Sequence, residues 1–415
     1  MSITIGKGGK LAENVIVGAG LSGLVAAINL AREGRDVIVL EREARIGGSP
    51  LYNPSPQGTP VDAKALETYT GIDISPVLSP FAGKTVVYGD EIDTDVDSIS
   101  AKLLERGPRS SSLDSYLYEI ARSCGVKFEF KHPFYSQDDI AELPPDTIIA
   151  TGLYFEGFDS TRVPYLVSFH YVARKTIGGV KAEEAHSTTE KGEWKETDEE
   201  VENPQATERG ITSGEHKTSE GDVPAHVTIY HDYFTSDYAY TTSINGIVFA
   251  HLFQRKPIGK DSLYAFQEAI YKHEGLEFEN WTHFTFPVPA AKISNPKIFA
   301  GDKILAGSLS GCIEPYMFFG IHGALVSGKI AAMAVFDRAL ALREFELATS
   351  SYRGAFALKK IENLLPHAIK KYSLSFAFSR VIKIEKIARA VLRSIPGWKN
   401  CEKNLSSNMQ ENFNP

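Results

Sequence analysis

Residues 14–49 carry the sequence NVIVGAGLSGLVAAINLAREGRDVIVLEREARIGGS, and the order of residue types in this stretch decides the fold. Val15–Val17 is a short apolar run of the kind found in buried strands, and the glycine-rich turn Gly18–Gly23 follows it directly. A helix is predicted from this turn to about Glu33, and a second strand is predicted at Asp36–Leu40. This order of strand, turn, helix and strand is typical of a doubly wound parallel sheet.

The glycine-rich turn also predicts a dinucleotide site. Gly18 permits a tight turn, Gly20 leaves no side chain between the backbone and a pyrophosphate, and Gly23 lets helix and strand pack closely. The helix N-terminus offers free N–H groups and the positive end of its dipole to phosphates. Glu41 at the end of the second strand is placed to accept hydrogen bonds from ribose hydroxyls. The residues predicted to hold the nucleotide are Gly18, Ala19, Gly20, Leu21, Ser22, Gly23 and Glu41.

Later segments extend the pattern along the chain. Arg109–Asp114 opens an amphipathic helix that ends at Gly125, and a strand is predicted at Val126–Phe130. Asp146–Gly152 is predicted to be another buried strand, ending in Ala-Thr-Gly.

Two further segments predict a hairpin and a second glycine-rich loop. Tyr238–Ile244 and Ile247–Phe253 flank Asn245-Gly246, the dipeptide that suits a hairpin turn. Residues 303–332 predict a strand, a loop rich in glycine, and a helix with small residues on one side.

In order and spacing, these segments resemble the family of FAD enzymes that includes aromatic hydroxylases, halogenases and geranylgeranyl reductases. The resemblance covers roughly residues 14–340, and Arg45-Ile46-Gly47-Gly48 favours FAD over NAD. The hairpin followed by Phe286–Pro289 is most similar to the geranylgeranyl reductase branch, in which a sheet covers the flavin and an apolar substrate lies against it. The resemblance adds these residues to the predicted FAD site: Arg42, Arg45, Gly48, Ala150, Gly152, Gly307, Ser308, Gly320 and Ile321.

Three features depart from the family pattern. The family has Gly-Asp where this chain has Gly307-Ser308, so the acid that binds the ribityl chain is replaced by a hydroxyl. Phe318 stands where the family has the first glycine of a loop near the flavin ring. The cysteine-rich substrate motif of some archaeal reductases is absent from the sequence. Ser308 and Phe318 therefore leave open a flavin-binding protein without redox activity.

The residues that would act on a substrate are less clear from sequence. His322 and Cys312 are weak catalytic candidates, because a histidine at a helix start and a lone cysteine more often serve in packing. Gln57 and Thr59 lie in a turn-rich stretch that often folds over a flavin edge. Seven aromatic residues are predicted to line an apolar substrate pocket or to form an ordinary sheet core, namely Tyr238, Tyr240, Phe249, Phe253, Trp281, Phe284 and Phe286.

Charge is unevenly distributed in this 415-residue chain, whose net charge is −8. Residues 181–222 contain 13 acidic and 5 basic side chains with few large apolar ones, which predicts a disordered insertion. Residues 351–400 contain 11 basic and 2 acidic side chains at helical spacing, and Pro366 predicts at least two helices there. Those helices are expected either to pack on the domain, through residues such as Ile384, Ile387, Val391 and Ile395, or to lie on an anionic membrane surface.

Composition narrows the classes of protein. The three cysteines show no metal-like spacing, so we expect no metal site and a reducing, cytoplasmic location. The apolar runs are too short to span a bilayer, and neither a secreted protein nor a nucleic-acid-coating protein is expected. Oligomeric state is left open.

The sequence thus predicts an α/β fold with a doubly wound Rossmann-type FAD domain, an antiparallel-sheet substrate domain and a helical C-terminus. Residues 1–165 and 291–345 are assigned to the FAD domain, 166–290 to the substrate domain and 346–415 to the basic C-terminal region. The resemblance implies an FAD-dependent oxidoreductase that reduces double bonds of a small apolar or prenyl substrate, using electrons from NAD(P)H or ferredoxin. A flavin monooxygenase of the aromatic hydroxylase type is the alternative.

Overall fold

A computed structural model describes residues 14–134, 136–177, 224–289 and 292–411. The acidic insertion at 181–222 lies outside the described residues. In chain order, the strands are β1 (Asn14–Val17), β2 (Val37–Leu40), β3 (Ser55–Pro60), β4 (Ala82–Val87), β5 (Asp90–Thr94), β6 (Ala101–Arg106), β7 (Lys127–Glu129), β8 (Ile148–Ile149), β9 (Leu166–Thr176), β10 (His226–His231), β11 (Tyr238–Ile244), β12 (Ile247–Gln254), β13 (Thr282–Val288), β14 (Phe299–Ala300) and β15 (Lys303–Leu305).

The helices frame these strands and make up the C-terminal region. They are α1 (Leu21–Arg32), α2 (Ala63–Thr70), α3 (Leu113–Ser123), α4 (Gln137–Ala141), α5 (Phe155–Thr161), α6 (Lys260–Glu274), α7 (Ile321–Phe336), α8 (Arg338–Ala348), α9 (Tyr352–Leu364), α10 (His367–Ser379), α11 (Glu385–Leu392) and α12 (Trp398–Glu411). The break between α9 and α10 falls at Pro366, as the sequence predicts, because proline has no N–H to continue a helix.

The first sheet is the doubly wound part of the fold. Its six strands run in the order β14-β15-β8-β1-β2-β7, and all neighbours are parallel except β14 and β15. Helices α1, α3 and α7 pack together beside it, and α1 is buried along almost its whole length because apolar or small residues occupy nearly every position. The predicted Rossmann-type fold is confirmed.

The second sheet has seven strands in the order β13-β9-β12-β11-β10-β4-β5. All pairs are antiparallel except β10 with β4. Alternate side chains of its strands pack against Leu263, Phe266 and Ile270 of α6, and the intervening side chains point to the opposite face, towards the first sheet. Strands β4 and β5 come from the segment assigned by sequence to the FAD domain, so that predicted boundary does not coincide with the division between the sheets.

The predicted hairpin is confirmed in register and turn. Tyr238 pairs with Phe253 and Ile244 pairs with Ile247 across β11 and β12. Asn245 and Gly246 both have positive φ, 52° and 73°, as a two-residue hairpin turn requires.

Candidate functional site

One cavity joins the two sheets. Its volume is about 340 Å³. It extends from the N-terminus of α1 to the face of the second sheet that does not pack against α6. Residues from β1, β2, β11, β12 and the loop before α7 line it. The cavity therefore has two ends: a nucleotide end, beside the glycine loop at the start of α1, and a sheet-covered end, against the second sheet.

The glycine loop at the first end is fixed by close packing. Gly18 has φ of +103°, and a Cβ built there would lie 2.4 Å from the carbonyl oxygen of Ala150. A Cβ on Gly23 would lie 2.0 Å from the carbonyl oxygen of Gly18. A Cβ on Gly20 would meet nothing within 4 Å. The protein's own packing explains the glycines at 18 and 23, whereas the space beside Gly20 opens into the cavity.

Glu41 closes this end of the cavity. Its carboxylate accepts hydrogen bonds from the backbone N–H of Ala19 at 2.7 Å and of Glu43 at 2.9 Å. Burial raises the pKa of Glu41 above its ordinary value, and these two N–H groups offset part of that effect. The carboxylate is therefore held at the end of β2, where a nucleotide ribose fits.

Unpartnered hydroxyl groups provide an independent test of whether a polar cofactor fits. The buried Oγ1 atoms of Thr59 and Thr151 line the cavity and have no hydrogen-bond partner among the described residues. Buried polar atoms are normally satisfied, so these two hydroxyls indicate that a polar ligand belongs here. With the open space at Gly20, they fit a dinucleotide that runs through the cavity.

Most residues of the predicted FAD site do line this cavity. The exceptions are Ala19, Gly23 and Arg45. Ala19 donates its N–H to Glu41, Gly23 packs inside the loop, and Arg45 is exposed outside the cavity. The roles of the individual residues stay predictions. The predicted residues that line it are Gly18, Gly20, Leu21, Ser22, Glu41, Arg42, Gly48, Ala150, Gly152, Gly307, Ser308, Gly320 and Ile321, together with Gln57 and Thr59.

Two of the three departures from the family pattern, Ser308 and Phe318, lie on the cavity wall. Ser308 lies in a single 3₁₀ turn, Gly307–Ser310. Phe318 has φ of +59°, so the chain keeps a conformation that glycine adopts freely and phenylalanine rarely does. The guanidinium of Arg255 lies 4.7 Å from the centre of the Phe318 ring and Phe253 meets it edge-on, which holds the ring against the second sheet.

The sheet-covered end carries a buried chain of hydrogen-bonding side chains. Ser168 Oγ lies 2.6 Å from His170 Nε2, and His170 Nδ1 lies 2.8 Å from His251 Nε2. His251 Nδ1 lies 3.5 Å from the Tyr52 hydroxyl, which lies 2.5 Å from that of Tyr240. We call these five residues the histidine–tyrosine chain. All five line the cavity, among the rings of Tyr238, Phe253 and Phe286.

The histidine–tyrosine chain is electrically neutral near pH 7. Burial lowers the pKa of His170 to about 3 and the pKa of His251 well below its ordinary value. Burial raises the pKa of Tyr52 to about 12 and the pKa of Tyr240 well above 10. The tyrosines therefore keep their O–H protons, and each histidine ring has one nitrogen that donates and one that accepts.

Sequence reasoning missed Ser168, His170, His251 and Tyr52. Alternation along the strand carried a signal for two of them. Residues two apart on a strand share a face, and Ser168 and His170 are two apart on β9. Sequence left open whether seven aromatic residues line a pocket or form a sheet core, and the structure places some in each. Tyr238, Tyr240, Phe253 and Phe286 line the cavity, whereas Trp281 packs with α6 and Phe249 and Phe284 do not line the cavity.

Neither weak catalytic candidate lies at the cavity. His322 is buried, its Nδ1 lies 3.0 Å from the carbonyl oxygen of Pro396, and its ring stacks on Trp398. Cys312 is buried in the main core, and burial raises the pKa of its thiol to about 11. The packing roles that the sequence favoured for both residues fit these positions.

The buried histidine predicts an acid-labile fold. In the unfolded chain His170 takes up a proton near pH 6.5, but in the folded chain it stays neutral down to about pH 3, so stability falls as pH drops through that window. Between pH 6 and pH 4, the unfolding free energy of a His170→Phe variant should depend on pH less steeply than that of the parent, by about 1.4 kcal/mol per pH unit. Urea unfolding at several pH values measures it.

A matched variant separates titration from packing. Phe284 stacks on His170 at 5.2 Å, so Phe284→Leu alters the same packing and removes no titrating group. It is expected to keep the parent slope. An unchanged slope in His170→Phe would contradict the assignment.

Comparisons with known proteins agree with this geometry. Residues 16–84 match the family model of the NAD(P)-binding Rossmann-like domain. A 47-residue stretch is 51% identical to the flavin-containing monooxygenase FMO GS-OX2 of Arabidopsis thaliana, and 39 residues are 54% identical to FMO GS-OX4 of the same plant. These matches span 11% and 9% of this chain and about a tenth of each relative.

Solved structures resemble the chain over nearly its whole length. A geranylgeranyl bacteriochlorophyll reductase-like protein from Thermoplasma acidophilum has a TM-score of 0.62 at 14% identity, with 95% of this chain and 99% of that one covered. The p-nitrophenol 4-monooxygenase of Pseudomonas putida has a TM-score of 0.56 at 13% identity, with 92% and 98% covered. At such low identity these likenesses concern the fold, and the predicted resemblance to both branches is confirmed at that level.

Proposed function

We propose that this chain, which has the FAD-type dinucleotide-binding fold of the flavin-dependent oxidoreductases, reduces a carbon–carbon double bond of an apolar substrate, for which a prenyl chain is the model. One observation carries the proposal. A single cavity joins the glycine loop to an aromatic sheet face that holds a neutral hydrogen-bonding chain. An apolar molecule placed there meets rings and O–H groups, and no charge of the histidine–tyrosine chain has to be desolvated.

The chemistry divides between cofactor and protein. Reduced FAD, when bound, supplies a hydride to one carbon of the double bond, and the other carbon takes a proton, so that the substrate gains two hydrogens. A nicotinamide nucleotide or a ferredoxin that docks from outside returns the two electrons. The loop with Gly18, Gly20 and Glu41 holds the dinucleotide, and the second sheet excludes water from the substrate.

The histidine–tyrosine chain supplies the proton in this proposal. Tyr240 is the donor, since its hydroxyl keeps its proton at neutral pH and lines the cavity. The Tyr52 hydroxyl, 2.5 Å away, replaces the proton, and His251 and His170 continue the path to Ser168. Each member gives one proton and takes one, and Ser168 at the far end takes its replacement proton from solvent water. The hydroxyls and the two imidazole tautomers then return to their first orientation before the next turnover.

Removing the donor tests this assignment. We expect Tyr240→Phe to lower the rate of substrate reduction by about 10² or more, the usual contribution of a general acid, and to leave FAD affinity unchanged. The assay mixes FAD-loaded, dithionite-reduced protein with a geranylgeranyl lipid and follows by mass spectrometry a product heavier by two hydrogens.

Tyr238→Phe is the matched control, because the Tyr238 hydroxyl donates to the Met317 carbonyl oxygen and is not part of the histidine–tyrosine chain. Its rate is expected to stay near that of the parent. Equal rates for parent and Tyr240→Phe would remove Tyr240 from the mechanism, and no heavier product from the parent would overturn the proposed reaction.

A flavin monooxygenase is the second candidate. The aromatic walls of the cavity suit an aromatic ring as well as a prenyl chain. That reaction would consume oxygen and yield a product heavier by one oxygen atom. A flavin-binding protein without redox activity, to which Ser308 and Phe318 point, would bind FAD and give neither product.

A further inference from the structure

The C-terminal helices expose an unusual share of apolar side chains. Of the 18 large apolar side chains that are exposed in the described residues, nine lie between Leu358 and Val391. Exposed apolar side chains scattered singly are ordinary, but a concentration in one segment marks an interaction surface. The nine are Leu358, Ile361, Leu364, Ile369, Tyr372, Phe376, Ile384, Ile387 and Val391.

These side chains form a stripe on each of three consecutive helical segments. Leu358, Ile361 and Leu364 follow one another at every third position of α9, while Ile369, Tyr372 and Phe376 recur at i, i+3 and i+7 of α10. The same spacing recurs from Ile384 to Val391 at α11. Such spacing places each set on one side of its helix.

The helices that carry these exposed side chains contact the rest of the protein through their other sides. The other side of α9 is buried through Tyr352, Phe356 and Lys359, and that of α11 through Ala388 and Leu392. Helix α10 contacts the second sheet through Phe378, whose ring centre lies 5.5 Å from that of His231, and through an exposed ion pair between Lys371 and Asp90 at 2.8 Å. The stripes are therefore the outer faces of packed helices.

Positive charge surrounds the stripes. Residues 351–400 carry 11 basic and 2 acidic side chains, a net charge of +9. Four of the 11 form ion pairs, and seven form none with any described carboxylate, namely Arg353, Lys360, Lys370, Arg380, Lys383, Lys386 and Lys399. The partner of this surface must therefore offer both negative charge and an apolar phase.

We propose that α9, α10 and α11 form a docking surface for an anionic lipid bilayer. The apolar stripes enter the boundary between headgroups and acyl chains, and the lysines and arginines pair with the acidic headgroups. No helix among the described residues has the length and apolar character to cross a bilayer, so the mode is interfacial. A second copy of this chain fits less well, since it would bring an equal positive charge against the first. The inference does not depend on the proposed reaction.

Vesicle sedimentation tests the docking surface with the full chain. We expect binding to vesicles of phosphatidylcholine mixed with phosphatidylglycerol, little binding to phosphatidylcholine alone, and weaker binding as salt is raised. Tyr372→Ser with Phe376→Ser, and separately Lys383→Glu with Lys386→Glu, should each weaken binding about tenfold or more. Circular dichroism verifies that each variant is folded.

The matched control removes exposed apolar side chains elsewhere. Leu340→Ser with Leu342→Ser, on α8, is expected to bind vesicles like the parent. Equal binding by the parent and both test variants, or no binding to the anionic vesicles, would overturn the proposal. So would a concentration-dependent dimer, measured by light scattering without lipid, that the Tyr372/Phe376 variant abolishes, or binding of duplex DNA in place of lipid.

Discussion

A Gly20→Val variant is expected to fold like the parent and to bind FAD roughly 100-fold more weakly or worse. Gly20 has φ of −78°, which any residue adopts, and a Cβ there meets no protein atom within 4 Å. Valine therefore costs the fold little. Its branched side chain would occupy the space through which a pyrophosphate approaches the backbone at the start of α1.

The chain contains a closely matched control. Gly259 is the N-cap of α6, has φ of −76°, and likewise leaves its Cβ position empty to 4 Å. Gly259→Val therefore causes the same backbone change at a helix start outside the cavity. Fluorescence titration with FAD measures both affinities, and equal affinities in the two variants would show that the open space at Gly20 does not hold the cofactor.

An Asp237→Asn variant is expected to lose about 3–5 kcal/mol of unfolding free energy. The buried carboxylate lies 2.8 Å from Arg255 and 3.3 Å from Lys359 of α9. Its neutralisation leaves the largely buried Arg255 without a carboxylate partner, while Lys359 keeps its ion pair with Glu362 at 2.8 Å. Burial raises the pKa of Asp237, but the charges of Lys359 and Arg255 outweigh it and hold the pKa below its ordinary value. The stability from this carboxylate is present above the unfolded pKa and is lost as pH falls towards the folded one.

Asp90→Asn is the control for this prediction. The Asp90–Lys371 pair has the same 2.8 Å separation and also joins a C-terminal helix to the second sheet, but the carboxylate is 63% exposed. Water already screens that pair, so the urea midpoint should stay close to that of the parent. Equal loss in both variants would contradict the importance given to burial at Asp237.

The nucleotide end of the cavity could be predicted from sequence because its determinants are local. The turn, the glycines and Glu41 lie within 36 residues, and each residue type has a conformational or packing reason at its position. The hairpin was predictable for the same reason, since Asn245-Gly246 sets both turn and register.

The substrate end could not be predicted, since it depends on contacts between distant residues. His170 and His251 are 81 residues apart, and Tyr52 reaches them from the loop before β3. No local pattern shows that three strands and a loop will bring these groups to one face. Phe318 is a related case, because only the fold shows that it keeps the backbone conformation of a glycine.

The C-terminal region shows that amphipathic spacing does not identify the partner of a helix. Sequence left packing and membrane contact open for the apolar residues of this region. Ile395 is buried, as packing predicts, but Ile384, Ile387 and Val391 are exposed, because Ala388 and Leu392 occupy the inner side of α11.

The most direct test of the central claim is the return of flavin colour without oxygen. The FAD-loaded protein is bleached anaerobically with an equivalent of dithionite, and a geranylgeranyl lipid is then added. We expect visible flavin absorbance to return in proportion to the lipid added, because the double bond takes the hydride. Absorbance that returns only when air is admitted would contradict the proposed reduction of the double bond.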